Sequence, residues 1–446
     1  MKIVHVIPGF LPDSVGGSEV YCWTLCKQLQ KQGIQAEVVI PGFGENQTTE
    51  YYYDGIRVTR YAEPTVQSRL HIAGLKLPEG LSYFRQYLRE SRPDCVHFHG
   101  LYPGIGITIQ HLAIAKAMKI RVVYTMHIPG HICINQTLIH NDVEPCDGII
   151  RPLRCAACNL KHRGTNKVVS EALAGVSSLL FNEGIDPGLW NNRLGTALSA
   201  VDRVEDLKIM LARLSILCDR VVVLARWFYD MMAANHFPTE IMEYMPPGLT
   251  YKNESITNDS SVPFNRPDSI KLIYSGRIDP IKDIQLLVQI FNELPENKFE
   301  LSIYGKPTDL SYYAKCRKLS ENNPDIHWRG VYSRQDLNSI FRQHDMLVLP
   351  SAVSEMSPMV IQEAFGAGIP VLASDVFGNH ELITHGQNGL LFPFKSGSDL
   401  KKQLVRLVEE PDLLDNLRSN VQLPLDFEEV AIKYTELYNN LVFATA

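Results

Sequence analysis

The stretch from Leu349 to Pro393 constrains this chain more than any other part of it. It reads as strand, loop, helix, strand and loop. MLVLP, from Met346 to Pro350, has the composition of a buried strand. Ser357 and Pro358 then mark a helix start. A serine caps free backbone N–H groups, and a proline loses nothing at the first helical position. The spacing predicts a helix from Pro358 to Ala367, ended by Gly368, with the next strand at Pro370–Ser374. Open parallel sheets bind ligands at the carboxyl ends of their strands. Glu355 is therefore expected in a crevice, in front of a helix N-terminus formed by Met356, Ser357, Pro358 and Met359, whose unbonded N–H groups suit a phosphate. Glu363 stands eight residues after Glu355, about two turns along that helix.

The N-terminal half repeats the alternation, which implies a second parallel sheet covered by helices on both faces. Strands are expected at Ile3–Ile7, Ala36–Ile40, Cys95–Phe98, Arg121–Met126 and Arg220–Leu224, and helices at Ser18–Gln32, Leu81–Glu90 and Ile105–Ala117. After the first strand, Gly16 and Gly17 precede a helix, where glycines let backbone N–H groups approach an anion; an ordinary turn is the alternative. His97 and His99 end one strand and His127 ends the next, which turns them toward the same crevice. For His99 a structural loop role is equally open.

Composition excludes several classes. The 446 residues suffice for two or three domains. Hydrophobic content of 45% with 21% charged residues describes an ordinary globular chain. A net charge of −6 argues against nucleic-acid binding by bulk electrostatics. No apolar run reaches the roughly 18 residues of a membrane span. MKIVHVIPGF is interrupted too early by Pro8 and Gly9 to be a signal peptide, so a cytoplasmic location is expected.

Cys133, Cys146, Cys155 and Cys158 lie in a long segment with little hydrophobic periodicity. A Cys-x-x-Cys pair closing a four-cysteine set is a thiolate metal signature, and a closed zinc site would stabilise a loop without a core of its own. An iron–sulfur cluster, free thiols or a disulfide are the alternatives. Cys22, Cys26, Cys95, Cys218 and Cys316 read as core residues. The polar run Lys252–Ser269 is linker-like. Beyond it, in the stretch Ile270–Phe291 that opens the second domain, Gly276, Arg277 and Lys282 stand at a strand's carboxyl end; an arginine fork and a lysine point charge there suit a diphosphate.

Taken together, Glu355/Glu363, Glu363-Ala364, Gly368-Ile369-Pro370-Val371, Gly378-Asn379-His380-Glu381 and Asn388-Gly389 resemble the C-terminal signature of family 4 retaining glycosyltransferases. Gly276, Arg277 and Lys282 match that family's Gly-Arg-x4-Lys motif. The resemblance implies the GT-B fold, α/β, with two Rossmann-like domains whose parallel sheets face a central crevice. It places the first domain at residues 1–248, with a cysteine-rich and helical insertion at about 129–217, the second at 249–426, and a helix at 427–446 crossing back to the first. It also implies transfer of a sugar from a nucleotide-sugar donor (UDP-, GDP-, ADP- or dTDP-linked) to an acceptor hydroxyl, without a metal at the diphosphate.

By the same resemblance, Glu355 meets the donor sugar and Glu363 the ribose. Gly16, Gly17, Gly276, Arg277 and Lys282 meet the diphosphate, Val331 and Tyr332 the base, and His127 the sugar. The cysteine-rich segment resembles a recurrent insertion in some family members. Three positions depart from the pattern: Ile128 stands in place of Asp, Pro247 in place of Asn, and Gly305-Lys306-Pro307 in place of Gly-x-Gly. An acceptor sugar, glycolipid or small molecule, with peripheral contact at the inner face of a membrane, fits the resemblance; a role in polysaccharide synthesis is expected. A nucleotide-sugar epimerase or hydrolase and a non-catalytic partner subunit are the rival readings.

Overall fold

A computed structural model describes residues 1–64, 76–101, 106–190, 192–250 and 269–443. Of the linker-like run Lys252–Ser269, only Ser269 falls within the described residues. The chain divides into two compact units. One comprises Met1–Asp142, Cys146–Pro247 and Phe427–Ala446, and the other Val143–Pro145 and Gly248–Asp426.

The first unit is built on an eight-stranded sheet. From edge to edge its strands are Met242–Tyr244, Arg220–Val223, Arg121–Met126, Cys95–Phe98, Lys2–Val6, Gln35–Phe43, Ile56–Glu63 and Thr49–Tyr53. All neighbours are parallel except the last pair. The five strands read from sequence are present. Thr49–Tyr53, Ile56–Glu63 and Met242–Tyr244 are additional. The first two form a hairpin through Asp54-Gly55, both at positive φ, the signal of a tight turn. The sheet reverses direction of growth between Lys2–Val6 and Cys95–Phe98, which makes their carboxyl ends the switch point.

The helix Phe427–Phe443 belongs to this unit and carries Tyr434 and Tyr438, both fully buried. Their hydroxyls are satisfied inside the core. Tyr438 Oη lies 2.6 Å from His97 Nδ1, and Tyr434 Oη lies 2.9 Å from Tyr21 Oη and 3.1 Å from Thr125 Oγ1. His97 Nε2 meets Thr125 Oγ1 at 2.7 Å. The C-terminal helix is thus joined to the sheet by a fully paired polar network rather than by apolar contact alone.

The second unit has a six-stranded, wholly parallel sheet in the order Ile326–Gly330, Phe299–Tyr304, Ile270–Ser275, Met346–Leu349, Val371–Ser374 and Gly389–Phe392. Its central strands are buried on both faces, and Leu272, Ile273, Leu347, Val348 and Leu372 are fully inaccessible. Continuous apolar runs of this kind are what a doubly covered parallel sheet requires. The switch point falls between Ile270–Ser275 and Met346–Leu349. Among the described residues no helix is long and apolar enough to cross a membrane.

The Tyr438–His97 bond gives a stability prediction. Tyr438→Phe leaves a buried imidazole nitrogen without its partner, at a cost of about 1–3 kcal/mol. Urea unfolding measures it; a difference within error of zero would show that the hydroxyl is replaceable.

Candidate active site

In the second unit the residues singled out from sequence converge at the switch point. The strand Ile270–Ser275 leads into Gly276, Arg277 and the short turn Pro280–Lys282; the neighbouring strand Met346–Leu349 leads into the loop that carries Glu355. Parallel pairing sends both loops off the same edge of the sheet. Lys282 Nζ meets Glu355 Oε2 at 2.6 Å, and Ser351 Oγ donates to Glu355 Oε1 at 2.6 Å. Burial opposes ionisation of Glu355. The Lys282 ammonium, the Ser351 hydroxyl and the charge of Arg277 outweigh it and hold the carboxyl below the usual range. Gly378, at φ +91°, packs against this loop, where a Cβ would run into the carbonyl oxygen of Glu355.

Arg277 extends outward and lies 3.6 Å from Asp279 Oδ2. Asp279 is itself buried and leaves Oδ1 without a partner.

Glu363 is buried and bonded by Arg334 Nη2 at 3.2 Å; the same guanidinium bonds Thr250 Oγ1. Burial raises the Glu363 carboxyl, and Arg334 offsets that only in part. The two carboxylates of the motif therefore differ: the surroundings of Glu355 favour its anion, whereas burial disfavours that of Glu363. Arg334 and Ser351 escaped the sequence reading. Neither lies in a recognisable motif; folding brings Arg334 to Glu363 across 29 residues, while Ser351 meets Glu355 from within the same loop.

One expectation needs correction. Ser357 does not cap the helix. The helix runs Met359–Gly366 with Pro358 at the cap position, no side chain bonds its first N–H groups, and Ser357 instead accepts from Gln362 Nε2 at 3.3 Å. Pro358 supplies the break itself through its extended backbone. Val331 is 70% exposed, whereas Tyr332 turns inward, its hydroxyl 2.7 Å from Ser275 Oγ and its ring edge-on to Tyr304. Met356 is buried and Met359 opens the helix.

In the first unit, Gly16 caps the helix Gly17–Lys31 in an extended conformation open to any residue. The space beside it holds the Glu19 carboxylate, which accepts from Ser14 Oγ at 2.7 Å and Ser18 Oγ at 2.8 Å. His127 follows the strand Arg121–Met126 and is half-buried. Its Nε2 lies 3.0 Å from His99 Nδ1, and the edge of Tyr21 packs on its ring. Burial pushes the His127 imidazole down to about 3, so it is neutral at physiological pH.

Cys133, Cys146, Cys155 and Cys158 all line one cavity of about 30 Å³ and form no disulfide. Backbone N–H groups of Asn141 and Arg151 point at Cys158 Sγ (3.2 Å) and Cys155 Sγ (3.4 Å). Burial pushes the Cys155 thiol up to about 11 and raises Cys146 and Cys158 as well. Among the described residues, the only group of three or more such ligand atoms within 4.8 Å of one another is His5, Cys22 and His99. The four loop sulfurs therefore surround a common space more widely than a closed tetrahedral cage. Cys22, Cys26, Cys95, Cys218 and Cys316 are buried, as expected of core residues.

Two doubly wound units, one with a lysine–glutamate pair at its switch point, define the class of GT-B glycosyltransferases. Family models agree: "Glycosyltransferase Family 4" matches residues 15–170 and "Glycosyl transferases group 1" matches 255–423. The chain belongs to this glycosyltransferase family. It is 27% identical over 239 residues to the lipopolysaccharide 1,2-N-acetylglucosaminetransferase of Salmonella typhimurium, covering 50% of this chain and 62% of that protein. It is 28% identical over 218 residues to a D-inositol 3-phosphate glycosyltransferase of Paenarthrobacter aurescens, covering 46% and 50%. These alignments thus span about half of this chain and less than two thirds of either relative. The fold is shared with Anabaena HepE solved with UDP and glucose (TM-score 0.62, 14% identity, 98% and 99% coverage). It is also shared with sucrose-phosphate synthase from Thermosynechococcus elongatus (TM-score 0.66, 17% identity, 100% of each chain).

The Lys282–Glu355 pair makes stability depend on pH. A carboxyl whose folded pKa is depressed contributes stability above its unfolded value, about 4.3, and loses it as pH falls through the folded pKa. Lys282→Met removes the chief opponent of burial, so the variant should be less stable than wild type near pH 7, and the gap should close in acid. Urea unfolding from pH 7 to pH 3 reads it. A gap independent of pH would mean that the pair does not control Glu355.

Proposed function

We propose that the protein is a retaining glycosyltransferase that moves a sugar from a nucleotide-sugar donor to an acceptor hydroxyl. The observation that carries this reading is the Lys282–Glu355 pair at the switch point of the second unit, with Arg277 beside it. On donor binding, Lys282 and Arg277 neutralise the diphosphate. Glu355, released from Lys282 but still held by Ser351, accepts hydrogen bonds from sugar hydroxyls. Glu363, oriented by Arg334, accepts from the ribose. His127 adds a contact to the sugar.

The bond from the anomeric carbon to the phosphate oxygen breaks. The acceptor oxygen bonds to the same face, and its proton passes to the leaving diphosphate. The two cations stabilise charge that develops only as that bond breaks, the kind of interaction that contributes most to catalysis. HepE was solved with UDP and glucose, which makes a UDP-sugar the first donor to try. On the acceptor side, the helical insertion of the first unit exposes Val168, Leu179, Leu189 and Trp190, with Arg163 and Lys167 near them in sequence. Apolar residues flanked by cations favour a glycolipid met at a membrane surface over a free small molecule.

Glu363→Ala should weaken UDP binding by about 1.5–3 kcal/mol, the worth of a hydrogen bond to a charged group. The Arg277→Ala, Lys282→Ala double variant should lose at least about 100-fold in turnover. Calorimetry with UDP and product analysis with and without acceptor check both. Unchanged UDP affinity would remove Glu363 from the ribose. Donor turnover that is the same with and without acceptor would favour a hydrolase or epimerase.

We also infer that Cys133, Cys146, Cys155 and Cys158 hold a structural zinc ion. The thiol set, the shared cavity and the N–H groups aimed at two sulfurs support it, with the sulfurs closing inward on the ion. Because burial raises the thiols of Cys146, Cys155 and Cys158, zinc must displace their protons, so its affinity should fall steeply in mild acid. Elemental analysis of untagged protein should find about one zinc per chain. A Cys155→Ser, Cys158→Ser variant should lose the zinc and melt earlier, with UDP affinity intact. Four freely titratable thiols and no metal would leave the cysteines as loop residues.

A further inference from the structure

Three imidazoles stand in line at the carboxyl edge of the first unit's sheet. His5 lies on the strand Lys2–Val6, His99 just past Cys95–Phe98, and His127 just past Arg121–Met126. His5 Nδ1 is 2.9 Å from His99 Nε2, and His99 Nδ1 is 3.0 Å from His127 Nε2. His5 and His99 are buried, and His127 keeps part of its ring exposed.

A neutral imidazole has one N–H and one lone pair. His99 has both nitrogens engaged by other imidazoles, so it donates to one and accepts from the other. Burial, reinforced by its histidine neighbours, holds it far below its ordinary pKa, which keeps it neutral. The chain therefore has a direction, and the tautomers are locked to one another.

The buried end decides the direction. His5 Nε2 is enclosed and makes no hydrogen bond of ordinary geometry. The Cys26 sulfur does interact with the His5 ring, but a thiol is a weak acceptor beside an imidazole nitrogen. An orphaned buried N–H is costlier and rarer than an under-used lone pair. The His5 proton therefore sits on Nδ1, where it is bonded. His5 Nδ1–H donates to His99 Nε2, and His99 Nδ1–H donates to His127 Nε2. A second proton on His5 would leave this direction unchanged, because Nδ1 would still be the donor.

We infer that His5 and His99 are positioning residues that hold His127 in its Nδ1–H tautomer, so that its open edge presents a hydrogen-bond donor to an oxygen of the transferred sugar. The sugar contact rests on the glycosyltransferase reading; the tautomer does not. A donor at that edge selects a lone pair, such as a hydroxyl oxygen of the sugar, and turns away groups that can only donate.

Long-range proton–nitrogen correlation spectra of the full chain, labelled with ¹⁵N-histidine at neutral pH, read the tautomers without any substrate. His127 and His99 should both show Nδ1–H. In His5→Leu the chain loses its first donor, and His127 should show a mixture of tautomers. In His5→Asn the amide N–H stands in for Nδ1–H, and the wild-type pattern should return. If the transfer reading holds, turnover in His5→Leu should fall about five- to tenfold with UDP affinity unchanged, and recover in His5→Asn. An Nε2–H signal for His127 in the wild type overturns the inference, and this readout needs no variant to fold. An unchanged His127 tautomer in folded His5→Leu, or nitrogen shifts of metal-bound rings at His5 and His99, overturns it too. Failure of turnover alone, with the tautomers as expected, would count against the sugar contact.

Discussion

The Lys282–Glu355 contact depends on the pairing of two strands. Ile270–Ser275 and Met346–Leu349 lie side by side and parallel, so the loops that follow them leave the sheet at the same edge. The pair is separated by 73 residues in sequence and 2.6 Å in space. An antiparallel arrangement would send the two loops to opposite edges. The apolar runs that bury these strands on both faces therefore serve the site as much as the core. The charge state of Glu355 follows from the same geometry. Burial alone would neutralise the carboxyl, and it stays ionised because the loops place an ammonium and a hydroxyl on its two oxygens.

The first unit solves a different problem. It buries His5, His97, His99, Tyr21, Tyr434 and Tyr438. Such polar groups are costly in a core unless they are paired. Two networks share the task. One runs from Tyr438 through His97 and Thr125 to Tyr434 and Tyr21, and fastens the C-terminal helix. The other runs from His5 through His99 to His127, and ends at a partly buried residue. The first network serves stability and the second leads to the chemistry. They come close where the rings of His97 and His99 pack at a tilt of 34°, with centroids 4.2 Å apart. Both rings are held neutral by burial, which is the condition for packing them so closely.

Much of this could be read before folding. The alternation of apolar runs with amphipathic segments set out both parallel sheets, and five strands of the first unit lie where the pattern put them. The hairpin Thr49–Tyr53/Ile56–Glu63 was missed although its Asp54-Gly55 turn is a recognised signal. The helix after Glu355 was placed one residue early because Ser357 and Pro358 both look like helix starts; the extended backbone at Pro358 decides between them.

The sequence by itself determined the architecture and the two carboxylates, because hydrophobic periodicity and short motifs are local properties of a chain. It also determined that four cysteines fall in one segment. Only the tertiary structure decided which groups hold those carboxylates. Arg334 reaches Glu363 across 29 residues and Lys282 reaches Glu355 across 73, separations that no pattern in the chain encodes, and Ser351 joins them from Glu355's own loop. The same is true of the line from His5 to His127. Each histidine belongs to its own strand or strand end, and hydrogen bonds between them exist only once parallel pairing has set those strands side by side.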